Sequence, residues 1–113
     1  MEKIEDMVKR RKAAHAKLVS LKSRVYEAFL QMEKATYVDG ALDKKHKEFI
    51  AVGISVVINC ESCMQWHIEQ AARDGASMHE VLEAIEVGME MGGGPATVAV
   101  RFALEVMEDV FKG

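Results

Sequence analysis

Phe49-Ile50-Ala51-Val52-Gly53-Ile54-Ser55-Val56-Val57-Ile58-Asn59-Cys60-Glu61-Ser62-Cys63 can be read as a strand or as a helix, and the two readings lead to different folds. Its first ten residues are rich in β-branched side chains and suit a buried strand. A strand leading into C-x-x-C at a helix start would open a thioredoxin fold. The rest of the chain argues against that. A thioredoxin fold needs further strands after the active-site helix, yet no segment after Cys63 alternates or clusters β-branched residues. It also needs a cis-proline facing the disulfide, and the single proline, Pro95, sits in the run Gly92-Gly93-Gly94-Pro95. Phe49–Ile58 therefore reads as part of a helix that is apolar almost all round, and the chain as all-α.

Helical signals continue on both sides of that stretch. Asp43 is placed to cap a helix running to about Asn59. Upstream, Met7/Val8, Ala14, Leu18, Leu21, Val25, Ala28/Phe29 and Met32 recur near a 3.6-residue period from Ile4 to about Lys34. That length is long for one globular helix and predicts a bend or break near Ser20–Ser23. Tyr37-Val38-Asp39-Gly40 reads as a turn. Downstream, Ser77 and Glu80 form a capping box ahead of Met78, Val81, Leu82, Ile85 and Met89 on one helix face. Gly75 is a helix stop before it. The Gly92–Pro95 run ends that helix and starts the last one, which carries Val98, Phe102, Leu104, Met107 and Phe111. The expectation is a single-domain bundle of about five to six helices over residues 1–113.

With 113 residues, half of them hydrophobic, the chain suffices for one core and no more. A net charge of −3 points to neither nucleic acid nor an anionic membrane as partner. The charge is uneven, with nine Lys/Arg against five Asp/Glu in residues 1–34. The cluster Lys9-Arg10-Arg11-Lys12 reads as a solvated helix face, because no aromatic or Gly-rich element accompanies it. The longest apolar run, Phe49–Ile58, is about half of what a bilayer crossing needs. Met1–Asp6 is acidic and polar, unlike an export leader. A close cysteine pair then belongs in a reducing compartment, where it is catalytic or metal-binding, and the chain is expected in the cytoplasm.

Cys60 and Cys63 are the chain's two cysteines, and His67 follows four residues after the second. On one helix these three positions fall in a stripe roughly 60° wide. The thiolate is the reactive form of cysteine, and a free thiol near pKa 8.5 is mostly protonated at neutral pH. A helix N-terminus near Asn59 would favour the thiolate. His67, one turn from Cys63, can carry its proton. The second cysteine can trap an oxidised first one as a disulfide. His15, His46 and His79 read as surface residues.

Glu48, twelve residues before Cys60, completes the pattern E-x11-C-x-x-C-x3-H, followed by Ala71-Ala72-Arg73-Asp74-Gly75-Ala76-Ser77 and Glu80-Val81-Leu82-Glu83-Ala84-Ile85. Over residues 43–105 the chain resembles the alkylhydroperoxidase D-like branch of the carboxymuconolactone decarboxylase superfamily. The resemblance implies an all-helical fold that assembles as trimers or hexamers. It implies a thiol-dependent peroxidase or disulfide oxidoreductase, with Cys63 attacking the hydroperoxide and Cys60 resolving the sulfenic acid. Glu48 and His67 would be the proton relay. Electrons would come from an external dithiol, lipoamide-linked or thioredoxin-like, with no cofactor. Ser62 stands where the best-known peroxidase branch has a second histidine. The decarboxylase branch lacks the cysteine pair, so lactone decarboxylation is not expected.

Two other readings fit the same residues. One is a non-catalytic helical oligomerisation module whose cysteine pair senses redox state. The other is a zinc protein with Cys60, Cys63, His67 and Glu48 as ligands, although structural zinc cysteines usually come from a turn and a second ligand pair is missing. The apolar character of Phe49–Ile58 favours a homo-oligomer in any case.

Overall fold

The computed structural model describes residues 2–112, and among them every regular element is a helix. The order is α1 (Glu2–Ser20), α2 (Arg24–Thr36), α3 (Lys44–Val57), α4 (Glu61–Arg73), α5 (Met78–Gly92) and α6 (Gly94–Phe111). The all-α reading holds, and the β-branched stretch is helical to Val57. The chain divides into two compact units, residues 1–39 and residues 40–113.

The first unit is a helical hairpin, and its break falls where the sequence predicted it. Lys22 takes a positive φ of 55°. Its N–H bonds the Val19 carbonyl at 3.0 Å, and the Ser23 N–H reaches back to Leu18 at 3.3 Å. These two bonds are a Schellman stop for α1. Ser23 then caps α2, its hydroxyl accepting from the Tyr26 N–H at 3.1 Å.

The second unit holds most of the buried core. Val52 and Val56 of α3, Met64, Ile68 and Ala71 of α4, Val81 and Ile85 of α5, and Ala103 and Val106 of α6 are all fully buried. α3 is the central element, packed against α4, α5 and α6. It meets α5 backbone to backbone at Gly53 and Gly88, where a Cβ on Gly88 would lie 2.5 Å from the Gly53 carbonyl oxygen.

Local chemistry sets each boundary in this unit. The Asp43 carboxylate caps α3 by accepting the His46 N–H at 2.8 Å. That bond holds the Asp43 pKa below its ordinary value, with the nearby His46 side chain adding to the effect. The Ser77–Glu80 capping box is formed in both directions, at 3.1 and 2.9 Å. The Ser77 N–H likewise lowers the Glu80 pKa. Gly75, at φ 93°, follows the C-cap of α4, with the Ala76 N–H bonded to the Ala71 carbonyl at 3.0 Å. Pro95 lies in the first turn of α6, where its missing N–H costs nothing. Among the described residues, no helix is long and apolar enough to cross a membrane.

Candidate active site

The turn between α3 and α4 places the cysteines. Asn59 adopts φ 53°, a left-handed conformation that asparagine tolerates better than most residues. The Asn59 N–H bonds the Val56 carbonyl at 3.2 Å, and the Cys60 N–H bonds Ser55 at 3.0 Å. This is a second Schellman stop, and it ends α3 two residues short of the expected Asn59. The reversal makes Cys60 the N-cap of α4, with extended backbone at φ −99° and ψ 98°. Cys60 therefore lies outside the helical stripe that a continuous helix would have drawn through positions 60, 63 and 67. Its sulfur bends back over the first turn, where it accepts the Cys63 N–H at 3.2 Å.

Cys60 and Cys63 are joined as a disulfide, with Cα atoms 5.2 Å apart. Both residues are half-buried, at the N-terminal end of α4. The N–H groups and dipole of that end favour a thiolate on either sulfur after reduction.

Glu48 and His67 come together across the α3–α4 interface. His67 Nδ1 lies 2.6 Å from Glu48 Oε1. Glu48 is deeply buried, its side chain 2% exposed, and His67 is 13% exposed. Sequence alone left open an exposed Glu48, and the fold buries it. A buried carboxylate needs partners to stay ionised. The second comes from its own helix, one turn earlier: Lys44 Nζ donates to Glu48 Oε2 at 3.0 Å. Lys44 also donates to Asp74 Oδ2 at 2.7 Å, at the C-cap of α4. Partial burial by itself would lower the Lys44 pKa; the hydrogen bonds it donates to Asp74 and Glu48 outweigh it and raise the pKa above the ordinary lysine value.

The sequence reading missed this Lys44–Asp74 bond. The Lys44–Glu48 spacing of four was visible as a helical pair, but Asp74 is 30 residues away and carries no local signal. His15, His46 and His79 are exposed and belong to other surroundings, as expected. His15 pairs with the Tyr26 hydroxyl at 2.6 Å and His46 with Asp43. Among the described residues, no set of three or more His, Cys, Asp or Glu side chains is arranged to hold a metal ion.

Fold and site together define an all-helical protein with a disulfide at the N-terminus of α4 and, on the same helix, a histidine hydrogen-bonded to a buried glutamate of α3. The chain belongs to the carboxymuconolactone decarboxylase family, whose model matches residues 23–106. The match begins well before residue 43, so it takes in α2 as well as the second unit as far as residue 106. The apo form of lpg0406, a carboxymuconolactone decarboxylase family protein from Legionella pneumophila, superposes with a TM-score of 0.92 at 31% identity. That likeness covers 99% of this chain and 100% of the other. A Thermotoga maritima member described as possibly involved in antioxidative response gives a TM-score of 0.84 at 28% identity, covering 93% and 89%. "Uncharacterized protein 4 in cox locus" of Paracoccus denitrificans is 39% identical over 84 residues, 74% of this chain and 76% of that protein.

Proposed function

We propose that the chain is a thiol-dependent peroxidase, cycling Cys60 and Cys63 between dithiol and disulfide. The observation that carries this reading is the disulfide across the first turn of α4, on the helix whose His67 is hydrogen-bonded to buried Glu48. The Thermotoga maritima member described as possibly involved in antioxidative response supports the same class of chemistry.

The cycle balances as follows. Cys63 loses its proton to His67, and the thiolate attacks one oxygen of a hydroperoxide, ROOH. The O–O bond breaks, Cys63 becomes a sulfenic acid, and the alkoxide leaves as ROH with the proton returned by His67. Without that proton the alkoxide is a poor leaving group. The Cys60 thiol then displaces water from the sulfenic sulfur to form the disulfide. An external dithiol, lipoamide-linked or thioredoxin-like, reduces it by exchange and is itself oxidised. Such a donor places the protein in a reducing compartment, and the cytoplasm fits.

Stoichiometric hydroperoxide added to the reduced protein should consume two thiols per chain. Cys63→Ser should abolish the reaction, and Cys60→Ser should stop it at a sulfenic acid that dimedone captures. No thiol loss in the wild type, or Cys63→Ser reacting at the wild-type rate, would sink the proposal.

Ser62 favours a second reading, a redox-sensing module without turnover, because it removes one imidazole from the proton chain. Steady-state peroxide consumption with a dithiol donor, above the rate of the free dithiol, would rule it out. In both readings the chain works as a homo-oligomer. An apolar groove of about 490 Å³ runs between α3 and α5, lined by residues such as Ile50, Ile54, Val87 and Met91. These four side chains are exposed in the single chain. A monomer in sedimentation at micromolar concentration would contradict the assembly.

A further inference from the structure

Glu48 is more deeply buried than any other carboxylate among the described residues, and its two oxygens face different partners. Oε1 meets His67 Nδ1 at 2.6 Å, and Oε2 meets Lys44 Nζ at 3.0 Å. We propose that Lys44 is a positioning residue that keeps Glu48 ionised and thereby keeps the Nε2 of His67 free of a proton. The inference rests on the relay reading above and assigns Lys44 a part in it.

An ionised carboxylate only accepts, so the proton in the short Glu48–His67 bond belongs to Nδ1. A neutral imidazole with its proton on Nδ1 has an unprotonated Nε2, the atom that can take a thiol proton. Removing the Lys44 charge leaves a carboxylate that is 2% exposed facing His67 with one charge partner fewer. Burial then drives it toward neutrality by one of two routes. In the first, Glu48 takes up a proton and donates it to Nδ1, which moves the imidazole proton to Nε2. In the second, His67 becomes an imidazolium, with protons on both nitrogens. Either route puts a proton on Nε2, so His67 loses its function as a base.

Asp74 supplies the control. It anchors the same Lys44 ammonium at 2.7 Å. Asp74→Asn weakens that anchor and leaves the Lys44 charge beside Glu48. Lys44→Met removes the charge.

The experiment is nitrogen-15 NMR of the His67 ring in the reduced full-length protein at neutral pH, without peroxide. The wild type, Lys44→Arg and Asp74→Asn should show an unprotonated Nε2, and Lys44→Met should lose that signal. Lys44→Gln is the second neutral variant if Lys44→Met does not fold, with the same loss expected. An unprotonated Nε2 in the folded neutral variant would overturn the assignment. So would loss of the signal in Asp74→Asn, because bond breakage and not charge would then be the cause. The relay reading is tested apart from this, by peroxide consumption in His67→Asn. A wild-type rate there removes the relay, whereas a slowed rate with Nε2 unprotonated in Lys44→Met removes only the role of Lys44.

Discussion

Gly88→Ala should destabilise the protein although it replaces glycine by the best helix former. Two effects of similar size compete. Within α5 the substitution gains about 1 kcal/mol of helix propensity. Against this, the new Cβ would lie 2.5 Å from the Gly53 carbonyl oxygen and 3.1 Å from its Cα and carbonyl carbon. That is short of ordinary contact by about 1 Å, and the obstacle is backbone of α3, which no rotamer change can move aside. Relief requires α3 and α5 to part, and these helices carry fully buried Val52, Val56, Val81 and Ile85. Overpacking costs about 1–3 kcal/mol, and a backbone obstacle that cannot rotate away belongs in the upper part of that range, about 2–3 kcal/mol, so the net loss is about 1–2 kcal/mol after the propensity gain. For a chain of this size that is a fall in Tm of roughly 4–10 °C. Gly53→Ala is the internal control. Its Cβ would sit 3.3 Å from the Ala84 carbonyl oxygen, a tight contact needing only a small adjustment, so gain and loss should nearly cancel. Thermal melts at one fixed protein concentration decide it, since self-association would make Tm concentration-dependent. A Gly88→Ala melt at or above wild type, or a larger loss in Gly53→Ala, would refute the backbone-contact argument.

Three further outcomes follow from the structure. Reducing the disulfide should leave the chain folded, because closing so short a loop stabilises by only about 2 kcal/mol in the loop-entropy model; circular dichroism should keep its helical signal, with Tm lower by roughly 10 °C or less. Asn59→Gly should be tolerated, since the position needs φ 53°, while Asn59→Val should cost about 1–2 kcal/mol and slow disulfide formation by moving Cys60 from the cap of α4. Lys44 has a raised pKa, so its ion pairs are fully present below the ordinary 10.5 and are lost as pH rises through the raised value. Wild-type Tm should therefore fall more steeply than that of Lys44→Met on the alkaline side, and parallel curves would contradict the linkage.

The fold was legible wherever its signals were local. Ser77 and Glu80 announce their capping box three residues apart, and Gly75 marks a chain reversal that few other residues adopt. The break between α1 and α2 could be placed from the length of the periodic stretch. The residue that makes it could not, because Lys22 takes the left-handed conformation usually given to glycine. The same effect displaced Cys60. A helix starting near Asn59 holds Cys60 in its first turn and aligns the two sulfurs and the imidazole on one stripe. A left-handed Asn59 instead turns the chain and makes Cys60 a cap. The pairing of the sulfurs survived that error because residues three apart at a helix start are within reach in either geometry.

Glu48 shows where sequence physics alone gives out. Beside Lys44 and Lys45 in the sequence, it looks like any solvated helix carboxylate. Whether it is buried depends on what α4 lays over α3, and that is a tertiary fact. Its spacing in the family pattern singled it out, although no local rule would have. Burial changes what the carboxylate can do. A solvated Glu48 would exchange partners with water and exert little hold on an imidazole; a side chain 2% exposed must resolve its charge through Lys44 and His67. The Lys44–Asp74 bond, closing from the far end of α4, is part of that resolution and is set wholly by how two helices pack. The cysteines could thus be read as a motif, but the apparatus proposed to govern their protons exists only once α3 and α4 have met.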